Sequence, residues 1–157
     1  MGPSGAQRWS PFLTKGRITN QFSVLAMLLT ADSLIMLKRD RQMKISKDSI
    51  DQIDFEGLQI VDYTSGRDIA SSLAEITVAS GVKHRKAYSN RSDKYYYIVS
   101  GHIQFNVEGE LYDLYQGDVC VILKGQKFSY KNDSGESTKL ILVHTPSFNL
   151  KFEVFLE

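Results

Sequence analysis

Few side chains in this sequence could bind a metal ion or move protons, and they are scattered along the chain. The 157 residues include three histidines, His84, His102 and His144, and one cysteine, Cys120. One cysteine allows no intrachain disulfide and no multi-thiolate zinc site, so we expect a reduced, cytoplasmic protein. A metal site built from several imidazoles would need nearly all three histidines. The glycine-rich phosphate loop, the Gly-x-Ser-x-Gly elbow and the His-Glu-x-x-His motif are absent from the sequence.

Composition and charge exclude several classes of protein. Hydrophobic residues make up 42% and charged residues 24%, which is typical of an ordinary folded domain and not of a disordered chain. The 19 basic and 18 acidic residues give a formal net charge of +1. So small a charge creates no general attraction for phosphate backbones, so we expect no nucleic-acid partner.

The first 42 residues differ from the rest of the chain. They carry six basic and two acidic residues, whereas residues 43–157 carry 13 basic and 16 acidic ones. The apolar stretch Phe22–Leu37 is rich in helix formers and predicts one helix. It is shorter than the roughly 20 residues of a membrane span, contains Asp32, and is followed by no clear signal-peptidase site. We therefore expect residues 1–42 to be an extension with one helix, and residues 43–157 to be the core domain.

From Leu58 onward the pattern is typical of short β-strands. Apolar, β-branched or aromatic runs are separated by turn residues. These runs are Leu58–Tyr63, Leu73–Val78, Tyr95–Val99, Ile103–Val107, Val119–Leu123 and Leu140–Val143. Glycines recur every eight residues at Gly101, Gly109, Gly117 and Gly125. This spacing indicates tight turns between antiparallel strands, and so an all-β sandwich or barrel.

The segment from Gly81 to Phe148 resembles a cupin. The first cupin motif is similar to Gly81-Val-Lys-His84-Arg-Lys86, followed by a loop and by Lys94 to Gly101. The second is similar to Gly117-Asp and the residues that follow it as far as Asn132. The resemblance implies a double-stranded β-helix, that is, a jelly-roll barrel of the small RmlC-like type, over residues 43–157. It also implies a homodimer.

The resemblance places altered residues where cupins hold a metal ion. The family's two histidines, glutamate and further histidine correspond by position to His84, Lys86, Lys94 and Phe128. A protonated lysine and a phenylalanine offer no lone pair, so the resemblance implies no metal and no cofactor. If the register differs by one residue, Asp93 becomes the acid, and a metal-dependent enzyme with an atypical ligand set stays open.

The altered positions suggest a binding site inside the barrel. Cationic groups in a hollow favour an anion, so we expect a small sugar- or carboxylate-like anionic metabolite. The expected contacts are His84, Lys86, Lys94, Tyr96, Phe128 and Tyr130. A metal-independent sugar-nucleotide isomerase or epimerase with His84 as the catalytic base is the alternative. The sequence does not decide whether the chain is an enzyme.

Each of these residues also has an ordinary structural interpretation. Lysines are mostly solvated, so Lys86 and Lys94 could lie at the mouth of a barrel with their amines in water. His144, near a strand end, is typical of a buried histidine with satisfied hydrogen bonds. Cys120 lies in an apolar run and is expected in the core.

Overall fold

The computed structural model describes residues 44–156, and the structural statements that follow concern that part of the chain. The helix predicted over residues 22–37 and the predicted domain boundary after residue 42 lie outside the described residues. Both therefore stay predictions.

Strands account for most of the described chain, and the all-β prediction is confirmed. The strands are β1 (Ile53–Phe55), β2 (Leu58–Asp62), β3 (Ser72–Val78), β4 (Lys83–Ser89), β5 (Asp93–Ser100), β6 (His102–Val107), β7 (Glu110–Tyr115), β8 (Val119–Ile122), β9 (Phe128–Lys131), β10 (Thr138–Thr145) and β11 (Glu153–Phe155). Short 3-10 helices cover Lys47–Ser49 and Leu150–Phe152. Over residues 44–156, no helix has the length and apolar content needed to cross a membrane.

The strands form two antiparallel sheets with the order of a jelly roll. One sheet has six strands in the order β1-β2-β3-β10-β5-β8, and the other has five in the order β11-β4-β9-β6-β7. From β3 to β6 successive strands alternate between the two sheets, and β10 returns to lie between β3 and β5. This is the double-stranded β-helix that the resemblance implied, and each sheet turns one face toward the other.

The core lies between the two inner faces. In β3 and β5 alternate side chains are buried, as the two-residue period of a strand requires. Ile98, Ile103, Phe105 and Leu140 are fully buried. Cys120 is also buried, as expected, and burial raises the pKa of its thiol to about 11. Burying each large apolar side chain contributes about 1.5–3 kcal/mol, so this layer holds the two sheets together.

The evenly spaced glycines occupy turns, as predicted. Gly101, Gly109, Gly117 and Gly125 all have positive φ. Gly109 follows Glu108, also at positive φ, in the two-residue turn between β6 and β7. At Gly101 space is also limiting, because a Cβ there would lie 2.9 Å from the Cα of Thr138. The glycine spacing therefore reports the geometry of the barrel's turns.

Candidate functional site

Three polar side chains form a row across the inner face of the six-stranded sheet. Ser72 of β3 faces His144 of β10, which in turn faces Lys94 of β5. All three are buried. Lys94 Nζ lies 3.0 Å from His144 Nε2, and His144 Nδ1 lies 3.2 Å from Ser72 Oγ. Side chains that face each other on neighbouring strands are close enough to interact, so the register of the sheet builds this row.

The partner of Lys94 comes from the opposite sheet. Glu153 begins β11, directly after the short helix Leu150–Phe152. Its Oε2 accepts a hydrogen bond from Lys94 Nζ at 2.8 Å, and both side chains are only 4% exposed. The ammonium thus lies between an imidazole nitrogen and a carboxylate oxygen, which are two atom types that often bind metal ions.

The protonation of this cluster follows from the donors of Lys94. An ammonium group can only donate, so His144 Nε2 is the acceptor in the bond between them. The proton of the neutral imidazole is then on Nδ1 and is donated to Ser72 Oγ, which also accepts from the backbone N–H of Phe148. Burial and the charge of Lys94 lower the pKa of His144 to about 3. Burial lowers the pKa of Lys94 as well, while Glu153 opposes that change.

An aromatic wall faces the polar row. His84 of β4 stacks on Tyr130 with ring centroids 4.8 Å apart, and on Phe128 at 5.2 Å. From the six-stranded sheet, Tyr96 of β5 meets the edge of Tyr130 with ring centroids 5.7 Å apart. Burial lowers the pKa of His84 to about 4 and raises the pKa of both tyrosines, so all three rings are neutral near pH 7. His84 Nδ1 is buried and has no hydrogen-bond partner among the described residues.

The polar row and the aromatic wall border one cavity of about 320 Å³. This volume is near the lower end of the range of small-molecule pockets. Apolar side chains from both sheets and from the C-terminal segment line most of it, and the polar groups are Asp62, Ser72, His84, Lys94, Tyr96, Tyr130, His144 and Glu153. Glu153 Oε1 is also buried without a hydrogen-bond partner in the described part of the chain. The cavity is therefore apolar apart from a few polar groups, two of which have unpaired atoms.

Five of the six predicted contact residues line this cavity, and the sixth does not. The five are His84, Lys94, Tyr96, Phe128 and Tyr130. Lys86 is exposed and does not border the cavity. The pairing of β4 with β9 shifts register between His84 and Ala87, and a bulge of this kind changes the side to which a side chain points. The structure thus brings only one of the two lysines inside.

Asp93, the alternative acid, is the first residue of β5. Its Oδ1 accepts a hydrogen bond at 2.7 Å from the backbone N–H of Lys124. Asp93 does not border the cavity. The carboxylate that does reach Lys94 is that of Glu153.

Sequence reasoning missed Glu153 and the part that His144 and Ser72 play beside Lys94. One signal was available for Glu153, which is the only acid within the apolar run Phe152–Leu156. A buried lysine needs an opposite charge, and an acid in an apolar run is a natural source of it. No local pattern connects residue 153 with residue 94, so the pairing itself required the fold.

The residues of the cavity do not fit a metal ion. Within residues 44–156, no group of three His, Cys, Asp or Glu side chains is arranged to hold one. His144 Nε2 and Glu153 Oε2 both contact Lys94 Nζ, and a cation placed between them would be repelled by the ammonium. Phe128 provides no lone pair. The imidazole and carboxylate atoms that could bind a metal ion therefore contact the Lys94 ammonium instead.

Comparison with known proteins places this geometry in a known fold. The family model described as Cupin domain matches residues 74–144. The nucleoside dehydratase Pac13 of Streptomyces, variants of which were solved with uridine, has a TM-score of 0.66 and 20% sequence identity, covering 74% of this chain and 92% of its own. KdgF from Halomonas sp. has a TM-score of 0.58 at 18% identity, covering 67% of this chain and 94% of its own.

A third similar structure is a predicted oxalate decarboxylase from Thermotoga maritima. Its TM-score is 0.57 at 16% identity, and the match covers 66% of this chain and 99% of that one. No curated protein matches the sequence. At these identities the similar structures show the fold alone.

Proposed function

Since this chain belongs to the cupin superfamily, we propose that its barrel binds a small neutral metabolite without a metal ion. The ligand would have a hydroxyl-bearing edge and a flat, less polar face, as a nucleoside or a ring-shaped sugar derivative has. The observation that carries this proposal is the buried Lys94–Glu153 pair, which borders an otherwise mostly apolar cavity. Such pockets bind a ligand through apolar walls and fix its orientation through a few polar groups.

The charge of the cavity favours a neutral ligand over the anion expected from the sequence. Lys94 already has a carboxylate partner in Glu153, and the two charges cancel. His84 and His144 are neutral because their pKa values are lowered to about 4 and about 3. Asp62 also lines the cavity and would repel an anion. With these charges, the cavity no longer gives a reason to expect an anionic sugar- or carboxylate-like ligand. The thermal-shift screen described below tests that ligand class directly.

The unpaired atoms suggest which groups the ligand offers. Glu153 Oε1 can only accept, and leaving a buried acceptor unpaired costs about 1–3 kcal/mol or more for a charged group. A ligand hydroxyl or N–H would supply the missing donor. His84 Nδ1 lies unpaired in the facing wall and could take a second polar group. Aromatic rings in the same wall favour a flat partner.

The similar structures are consistent with this ligand class. Pac13 carries the name nucleoside dehydratase, and variants of it were solved with uridine, a neutral molecule with hydroxyl groups and a flat ring. An isomerase or epimerase with His84 as the base is less favoured here. A histidine with a pKa of about 4 is a weak base at neutral pH, whereas efficient bases have a pKa near the working pH.

A thermal-shift screen of the full chain tests the proposed ligand class. Neutral nucleosides and sugars should raise the melting temperature, because a ligand at 100 times its Kd adds about 2.7 kcal/mol of stability. A metal chelator should leave that gain unchanged. His84→Phe keeps the ring but removes Nδ1 and should reduce the gain, whereas Lys86→Ala, outside the cavity, should retain it. Stabilisation by sugar phosphates and organic acids alone, or its loss with chelator, would refute the proposal.

We also propose that the chain forms a homodimer through the outer face of the six-stranded sheet. Leu73, Val143, Tyr95 and Val121 follow one another across four strands of that face. Tyr97 and Val119 continue the apolar surface in the next row, at 45% and 53% exposure. Continuous apolar surface of this kind on a soluble domain typically marks an interface.

The dimer prediction is tested by light scattering after size exclusion. The unmodified chain should have the mass of two copies, and Tyr97→Lys should have the mass of one, because it buries a charge in the apolar contact. Tyr115→Lys is the matched control, since Tyr115 is exposed on β7 of the other sheet and should leave the dimer intact. A monomeric unmodified chain would contradict the proposal.

A further inference from the structure

Lys94 differs from every other lysine in the described part of the chain. It is the only one there that is buried, and it borders the cavity. Its Nζ is held by Glu153 Oε2 at 2.8 Å and His144 Nε2 at 3.0 Å, and lies 5.6 Å from the centre of the Phe128 ring. An amine beside a proton acceptor in an apolar hollow has the environment of lysines that attack carbonyl groups.

We propose that Lys94 forms a reversible imine with a small aldehyde or ketone that enters the cavity. This inference rests on the proposed function, because the cavity has to admit a small molecule, and it adds a carbonyl group to the class of ligands. Nothing in the binding of hydroxyl groups alone requires such a step. The carbonyl compound is the only co-reactant.

The pair of Lys94 and Glu153 balances the proton transfers. Proton transfer from the ammonium to the Glu153 carboxylate gives a neutral amine beside a neutral acid. The Nζ lone pair then forms a bond to the carbonyl carbon, the carbonyl π bond breaks, and the acid protonates the oxygen. Nζ returns a proton to Glu153, the hydroxyl group leaves with a proton from Glu153 as water, and the C=N bond forms. An ammonium and a carbonyl compound thus become an iminium and one water, with Glu153 restored as a carboxylate.

The site is built to keep the product stable. The iminium carries the same positive charge as the ammonium it replaces, and Glu153 Oε2 remains next to it. His144 stays neutral, so it adds no repulsion. Burial lowers the pKa of Lys94, which increases the fraction of reactive amine relative to exposed lysines. The other titratable groups that border the same cavity are Glu153, His144, Asp62, His84, Tyr96 and Tyr130.

Reductive trapping of the full chain tests this inference. The chain is treated near pH 6.5 with glycolaldehyde, a small neutral hydroxyaldehyde, and with cyanoborohydride, which reduces imines to stable amines. Peptide mapping by mass spectrometry then measures the rate of labelling at each lysine. Burial lowers the pKa of Lys94 and so increases its fraction of free amine, and the cavity holds the carbonyl compound beside it, so we expect labelling at Lys94 to be several-fold faster than at exposed Lys86. Lys94→Arg should lose the fast phase and keep the slow one.

Two further results show whether the imine fails alone or together with the proposed function. A neutral nucleoside or sugar that raises the melting temperature should protect Lys94 from labelling and leave Lys86 unaffected, and this comparison needs no variant. Labelling of Lys94 no faster than that of Lys86, in a chain that neutral ligands still stabilise, would overturn the imine and leave the binding function standing. The absence of both labelling and stabilisation would overturn both.

Discussion

Replacing Glu153 with alanine is expected to lower the free energy of unfolding by about 3–5 kcal/mol, because the Lys94 ammonium would stay buried without its carboxylate. The side chains of both residues are 4% exposed, so bulk water solvates little of the Lys94 ammonium. Chemical denaturation in urea measures the difference. A domain of this size has a total stability of about 5–15 kcal/mol, so the loss would be a large part of it.

Two control variants separate the buried charge from general damage. Lys94→Met with Glu153→Leu removes both charges and keeps apolar volume, and it should restore stability to near that of the unmodified chain. Asp133→Ala breaks the exposed pair with Lys131 and should have little measurable effect. A Glu153→Ala chain that loses less than about 1 kcal/mol would mean that Lys94 is not a buried charge.

Mild acid is expected to destabilise the barrel strongly. In the unfolded chain His84 and His144 take up protons near pH 6.5, whereas in the folded chain their pKa values are lowered to about 4 and about 3. Below pH 6.5 the unfolded state therefore binds more protons, so stability is full above that pH and falls as the pH decreases toward the folded values. At pH 5 each histidine costs about 2 kcal/mol, or about 4 kcal/mol together.

Urea unfolding at several pH values checks this behaviour. The informative range is from pH 6.5 to 5, above the pH at which most carboxylates bind protons. His84→Phe keeps the stacked ring and removes one titrating group, so it should reduce the slope of stability against pH by about half. A stability that does not change across this range would show that neither histidine is held neutral by burial.

Much of the fold could be predicted from the sequence because its signals are local. A strand buries every second side chain, so the pattern of Ile103, Phe105 and Val107 already indicates one packed face. Gly109 and Gly117 sit at turns whose positive φ favours glycine. The second motif also spaces Phe128 and Tyr130 on one face, and both line the cavity.

The site was harder to predict because its key contacts are distant in sequence. Lys94 and Glu153 are 59 positions apart and belong to different sheets. The position of Lys86 depends on a register shift in β4, and one extra residue in a strand reverses the face of the next side chain. Motif spacing assumes regular strands and therefore placed Lys86 beside Lys94. The cupin motifs therefore indicated neither Glu153, the acid in the apolar run, nor the bulge in β4.

The buried pair also explains how a cupin barrel could dispense with a metal ion. A bound cation contributes positive charge that holds carboxylate and imidazole groups together in the interior. Here the ammonium of Lys94 contacts His144 and Glu153 and supplies that charge from within the chain. Because that charge is covalently attached, it would hold the polar groups in place without a bound ion.

Elemental analysis of the full chain, purified without chelators, tests most directly whether Lys94 takes the place of a bound cation. We predict that iron, manganese, nickel and zinc will each be present at far less than one atom per chain, and that adding these metals will not raise the melting temperature. A metal present at close to one atom per chain, and lost in the His144→Ala variant, would contradict this assignment.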